Sequence, residues 1–274
     1  MGIYLNNNNI DFINNAIKTI SLTDNEDKII MRTIQTYSNN SLKTIRDSAF
    51  EYCDNLTLVD LPQVSYIGDH AFYYCRNLTS ISLPQVISIG VSAFYYCVKL
   101  TSINLPKTTT IESSAFYQCY SLVSVNLPQI TTIAEMAFYS CSKLTSISLP
   151  QVNFISNYAF TYCASLVSIN LPQVSYIGSF AFRSCFSLIS MNLSQINYIG
   201  NSAFTYCYNL ILLNLSGISS IPSLISSGVF LSTPIGGYSI SAGQYGSIYV
   251  PASLYSDFLT ATNWSYFSSR MVSI

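Results

Sequence analysis

The chain is poor in charge: Asp, Glu, Lys and Arg make up 8% of its 274 residues, and the formal net charge is -1. Without a basic patch or stripe there is no electrostatic footprint for nucleic acid or an anionic membrane, so both are set aside as partners. Histidine occurs once, as His70. Cys-His or Ser-His catalysis, or a multi-histidine metal site, would therefore rest on a single residue. No apolar run reaches the roughly 18 residues that a membrane-spanning helix needs, so direct insertion is not expected. The start, MGIYLNNNNIDF, has neither the basic opening nor the apolar run of a secretory signal. Gly2 opens no myristoylation motif, because Asn6 stands where Ser or Thr is required. Gly236-Gly237-Tyr238 lacks the lysine and spacing of a phosphate loop.

What the chain has in quantity is tyrosine, with 22 residues, and a ruler of 8 cysteines. Cys53, Cys75, Cys97, Cys119, Cys141, Cys163, Cys185 and Cys207 each follow the last by 22 residues. Ala-Phe precedes each of them, from Ala49-Phe50 to Ala203-Phe204, and a leucine follows three residues later, from Leu56 to Leu210. A fixed period in this range, with recurring Leu-x-x-Ile-x-Leu, signals a solenoid in which each unit contacts only its neighbours. In Leu100-Thr101-Ser102-Ile103-Asn104-Leu105-Pro106, alternation sends Ile103 and Leu105 inward and Ser102 and Asn104 outward, and Pro106 ends the strand. A second brief inward segment carries Ile130 and Ile133, Val64 and Ile67, or Val174 and Ile177. Gly68, Gly90, Gly178 and Gly200 then fit a turn, and Asp47, Asp69, Ser113, Asn157, Ser179 and Asn201 follow as candidate N-caps. Ala115, Phe116, Cys119 and Leu122, at offsets 0, 1, 4 and 7, predict a helical turn facing the core.

Equivalent cysteines on stacked coils would lie about 4.7–4.9 Å apart, within the roughly 4.4–6.8 Å Cα range of a disulfide. Their side chains would nevertheless point the same way, so a buried ladder of reduced thiols is expected, and it carries no information about compartment. Soft-metal binding would need several thiolates to converge, which a linear stack does not provide.

Three segments follow: an N-terminal helical cap over 1–40, the solenoid over 41–216, and a degenerate repeat with a C-terminal cap over 217–274. In the first, Ile13, Ala16, Ile17 and Ile20 recur at helical spacing behind Asp11, and Ile29 to Tyr37 reads as a degenerate first strand. In the last, Phe230 lies 26 residues past Phe204. There Gly246 to Pro251 reads as a strand ended by proline, and Ala252 to Met271 as a helix containing the only tryptophan, Trp264.

Units such as LTSISLPQVISIGVSAFYYC, from Leu78 to Cys97, resemble the BspA-like leucine-rich repeat family, and Ile248 to Ile274 is similar to the closing segment of its bacterial members. The resemblance implies a leucine-rich repeat solenoid: a right-handed α/β-type coil with a parallel β-sheet on one face and short helical turns on the other. It also implies bacterial surface adhesion or host-protein binding, at the cell surface or after secretion, and supplies no catalytic, cofactor or metal residues. The expected function is a non-catalytic binding module for a protein or glycan. The alternatives are a structural or self-assembling component, including a prophage-encoded one, and a glycan-active enzyme. Export would need a route, or a leader, that this sequence does not display, and no anchor motif follows Ile274.

The outward residues nominate the contact surface. Tyr73, Tyr95, Tyr117 and Tyr139, with Tyr74 and Tyr96 one position on, line one edge of the turns; Ser102, Asn104, Ser124 and Asn126 belong to two polar ladders on the sheet. Tyrosine supplies contact area at low entropic cost and keeps a polar tip. The competing explanation is that duplication copied a soluble filler residue. His70 occupies a slot held elsewhere by Ser48, Ser92, Ser114 and Ser202 and reads as an ordinary surface residue. Most other repeats carry Ser, Asn, Val or Glu where Asp60 and Asp69 stand, so no carboxylate pair recurs for glycoside hydrolysis.

Overall fold

A computed structural model describes residues 32–237 and 245–274. The helix expected between Asp11 and Ile20, the start of the degenerate strand at Ile29, and Tyr238 lie outside the described residues. Each unit contributes two short strands, and every strand pairs in parallel with one from an adjacent coil, 22 residues away within the repeats up to Leu212–Asn214. Three-residue strands from Thr36–Ser38 to Leu212–Asn214 form one sheet face in three paired runs. The last run continues through Ser247–Val250 to Met271–Ser273. Two-residue strands from Thr44–Ile45 to Ser223–Leu224 form the second face. The pairing of Ser102 with Ser124, Ile103 with Val125 and Asn104 with Asn126 is the register that the 22-residue spacing demands. The chain is a leucine-rich repeat solenoid.

The turn side differs from the α/β-type expectation in its local form. Ala115 to Cys119 makes no α-helix, because the backbone enters the left-handed region at Ser114 (φ 58°) and again at Gln118 (φ 56°). The same two slots recur in every unit, as at His70 and Tyr74 or Ser92 and Tyr96. This conformation breaks a right-handed helix at each visit. Backbone donors therefore alternate: Tyr117 and Cys119 bond three residues back, to Ser114 and Phe116, whereas Phe116 and Gln118 bond to Ala137 and Tyr139 of the next coil. The string of turns is stitched from coil to coil and leaves Phe116 and Cys119 inward.

The core is a set of columns. Phe50, Phe72, Phe94, Phe116, Phe138, Phe160, Phe182 and Phe204 stack nearly parallel at 4.9–5.4 Å between ring centroids. Phe230 extends the column at 5.5 Å despite its irregular spacing. All eight cysteines are free and buried. Seven donate Sγ–H to the carbonyl of the phenylalanine in the preceding coil, Cys119 to Phe94 at 3.1 Å and Cys141 to Phe116 at 3.2 Å among them. The thiol is thus more than a small apolar filler. It is a second donor to a carbonyl that already accepts the backbone N–H of the cysteine in its own coil, as the Phe116 carbonyl does from Cys119, and so it ties adjacent coils together.

The glycines and the residues expected to cap helices act together. Asp47 Oδ1 accepts the Asp69 N–H at 2.9 Å, Asp69 Oδ1 the Val91 N–H at 2.8 Å, Asn157 Oδ1 the Ser179 N–H at 2.8 Å, and Ser179 Oγ the Asn201 N–H at 3.2 Å. They cap the following coil rather than a helix. The residue facing each cap from that coil is Gly68, Gly90, Gly178 or Gly200, none with positive φ. A Cβ there would lie 2.5–2.7 Å from the backbone nitrogen of the capping residue. Glycine is required by close approach, not by turn geometry.

Beyond Pro251 the expected single helix is instead 3-10 turn Ala252–Leu254, one α-turn Tyr255–Phe258 and 3-10 turn Ser265–Arg270, and Met271 opens a strand. Trp264 is buried, donates Nε1–H to the Pro222 carbonyl at 2.8 Å, and packs with Phe258 and Phe267 over Phe230. The phenylalanine column is closed by this cluster.

Candidate binding surface

The stacked coils bring Tyr73, Tyr95, Tyr117 and Tyr139 into one row, with ring centroids 4.9, 4.5 and 4.7 Å apart. Tyr74 and Tyr96 stack beside it at 4.7 Å, and Tyr52 continues that second row at 5.5 Å from Tyr74. The rings are half-buried because their faces cover one another, so edges and hydroxyls meet solvent. Partial burial and neighbouring tyrosines push the Tyr95 hydroxyl up to about 12, and the Tyr73 and Tyr139 hydroxyls rise for the same first reason. Tyr73, Tyr95 and Tyr139 therefore stay protonated and uncharged at neutral pH. Tyr74 and Tyr96 also hold left-handed backbone, at φ 58° and 62°, which fixes where their rings emerge.

Ser102, Asn104, Ser124 and Asn126 are exposed on the first sheet, in a different part of the coil from the tyrosines. Asn126 Nδ2 donates to Asn104 Oδ1 at 2.8 Å, so part of this ladder is satisfied internally. His70 packs edge-on against Tyr73, 5.2 Å between centroids. Asp69 uses its carboxylate to cap Val91. Among the described residues there is no group of three or more His, Cys, Asp or Glu placed to hold a metal ion, and no helix long and apolar enough to cross a membrane.

Three features escape a reading of single repeats. Phe154, Tyr176 and Tyr198 stack at 4.4 and 4.6 Å on the second sheet. Just ahead of the first-sheet strands, where Thr57, Thr79, Thr101 and Thr145 stand in other units, Val123, Val167, Ile189 and Ile211 are 42–44% exposed, so this flank is aliphatic toward its C-terminal half. The third is Arg183, at the position of Tyr95, Tyr117 and Tyr139. Its guanidinium lies 5.7 Å from the Phe180 ring and 5.6 Å from that of Tyr206. The signal for Arg183 was present in the spacing, since it breaks a row of Tyr and Thr.

The BspA type Leucine rich repeat region (6 copies) family model matches residues 27–145 and 131–243. No curated protein matches the chain. Among solved structures it is similar to a leucine rich cell surface protein of Faecalibacterium prausnitzii, with 22% identity over 80% of this chain and 82% of that one, TM-score 0.44. A leucine-rich repeat protein of Bacteroides ovatus is 21% identical over 86% of this chain and 76% of its own, TM-score 0.43. The leucine-rich repeat protein of T. pallidum is 26% identical over 72% and 76%, TM-score 0.38. With the family model spanning most of the chain and its repeat built as two parallel ladders around phenylalanine and thiol columns, this chain belongs to the BspA-type leucine-rich repeat family.

Proposed function

We propose that the protein is a non-catalytic binding module of a bacterial surface or secreted protein, contacting a host protein or glycan through its tyrosine flank. The observation that supports this most is the row Tyr73, Tyr95, Tyr117 and Tyr139, stacked at 4.5–4.9 Å on a backbone bonded coil to coil. Such a row is ordered before any partner arrives, so little side-chain freedom is lost on contact. Tyr74 and Tyr96 widen it, and Ser102, Asn104, Ser124 and Asn126 offer a separate polar face of small donors and acceptors. No cofactor enters this account, nor does nucleic acid or insertion into a membrane. Surface or secreted placement follows the family's character. The test is binding to an array of host matrix proteins and glycans by the wild-type chain and by Tyr95→Ser/Tyr117→Ser/Tyr139→Ser. A loss of at least tenfold with cooperative unfolding retained is expected, and equal binding by the variant dismisses the tyrosine flank.

Self-association is the second reading, supported by the exposed stripe Val167, Ile189 and Ile211 on a nearly uncharged surface. Light scattering across a concentration series separates it from the first. A steady monomer at high concentration speaks against assembly.

A further inference from the structure

We propose that Arg183 anchors a carboxylate-bearing saccharide on the turn side of the solenoid. The proposal rests on the chain being a binding module but not on which tyrosines make the wider contact. Between Lys143 and Asp257 no other residue is charged. Arg183 therefore has no carboxylate within its own stretch of coils, and among the described residues it forms no ion pair or hydrogen bond through its side chain. Its Nε is buried without a partner. The guanidinium lies between the rings of Phe180 and Tyr206, at 5.7 and 5.6 Å, which favours the cation and holds it in place without consuming a donor. Tyr162 of the preceding coil donates its backbone N–H to the Arg183 carbonyl at 2.9 Å. Tyr139, one coil further on, is close enough for the Arg183 charge to oppose the rise of its hydroxyl.

Covering of Nε leaves the two terminal nitrogens to receive a planar oxyanion end-on, the paired geometry in which arginine holds carboxylates. One isolated cation amid aromatic edges and hydroxyls suits a ligand with one isolated negative charge amid hydroxyls and C–H faces. A carboxylated sugar has that composition. An acidic protein surface or a nucleic acid, with many charges close together, would gain little from a single arginine. Repeat duplication does not explain the residue, because the same row carries Tyr139 and Thr161 before it and Thr205 after it.

The neighbouring units also supply a conservative variant, since Arg183→Thr copies Thr161 and Thr205. Titration calorimetry on the full chain would use 3′-sialyllactose and a hyaluronan tetrasaccharide as the two carboxylate sources, lactose as the neutral counterpart, and a short uncharged peptide with a free C-terminal carboxylate. The wild type is expected to bind at least one acidic sugar ten times or more tightly than lactose and the peptide. Arg183→Thr should lower that affinity to the lactose level with an unchanged melting temperature, and Arg183→Lys should restore only part of it. Equal binding of acidic and neutral sugars, unchanged affinity in Arg183→Thr, preference for the peptide, or no acidic sugar bound would each overturn the proposal. The array measurement on the same preparation keeps the two readings apart. A wild type that binds an array member through its tyrosines, yet neither acid, loses only the arginine site; a chain that binds nothing in either experiment loses both.

Discussion

At the scale of single residues, the thiols have the largest consequence for stability. Burial pushes the Cys53 thiol up to about 12 and raises Cys75, Cys97, Cys119, Cys141, Cys163 and Cys185 well above their usual 9.0. The unfolded chain therefore gives up these protons first. Their contribution is fully present below pH 9 and is lost as pH rises, for Cys53 through about 12, at a limiting slope of about 1.4 kcal/mol per pH unit for each thiol. Chemical denaturation across pH 8 to 11 should show stability falling steeply above about pH 9, and a flat profile would contradict burial of the ladder. A thiol-specific chromogenic reagent should find the thiols unreactive in the folded chain and all eight reactive after unfolding. Phe116, fully buried between Phe94 and Phe138 at 5.2 and 5.4 Å, makes a second test. Phe116→Ala should be less stable by about 3–5 kcal/mol, and an unchanged denaturation midpoint would remove Phe116 from the core. Much of this is legible in the sequence, since the 22-residue spacing of Ala-Phe-x-x-Cys places the columns. The thiol-to-carbonyl bond is not, because it joins residues 25 apart in adjacent coils.

At the scale of the element, the pairing of cap and glycine matters most. Asp47, Asp69, Asn157 and Ser179 cap the next coil, and each meets a glycine there; the units facing Val91, Ser113 and Glu135 carry Glu112, Ala134 and Ser156 instead. Asp69→Ala should be less stable by about 0.5–2 kcal/mol for loss of the bond to Val91. Gly90→Ala should cost about 1–3 kcal/mol through crowding against Asp69. Because a new Cβ would meet both the Asp69 carboxylate and its backbone, the double variant should be less destabilised than the sum. Strict additivity in urea denaturation would show that cap and glycine are independent. The strands were legible here through two-residue alternation and the closing proline. The turns were misread as helical because offsets 0, 1, 4 and 7 place side chains on one side in both geometries. The left-handed visits at Ser114 and Gln118 fall on ordinary residues rather than glycine. Broken helicity after Pro251 was hidden likewise, since the segment is shaped by Trp264 and Phe258 closing over Phe230.

At the scale of the molecule, the tyrosine row was legible in position but not in state. Spacing put Tyr73, Tyr95, Tyr117 and Tyr139 on one edge, whereas only the stack reveals that their faces cover one another. The aliphatic stripe and Arg183 stood outside a repeat-averaged view because they are departures from it. Underlying every surface is the claim that each coil is held by its two neighbours and by nothing else, so the array is made of one interface repeated. Deleting one full period, residues 101–122, would join Leu100 to Val123 in register and reproduce that interface. The direct measurement is the thermal unfolding of this deletion beside one of half the length, residues 101–111. The first should unfold cooperatively with its thiols still protected, and the second should lose cooperative unfolding; collapse of the full-period deletion, or equal tolerance of both, would contradict the stacked-coil account.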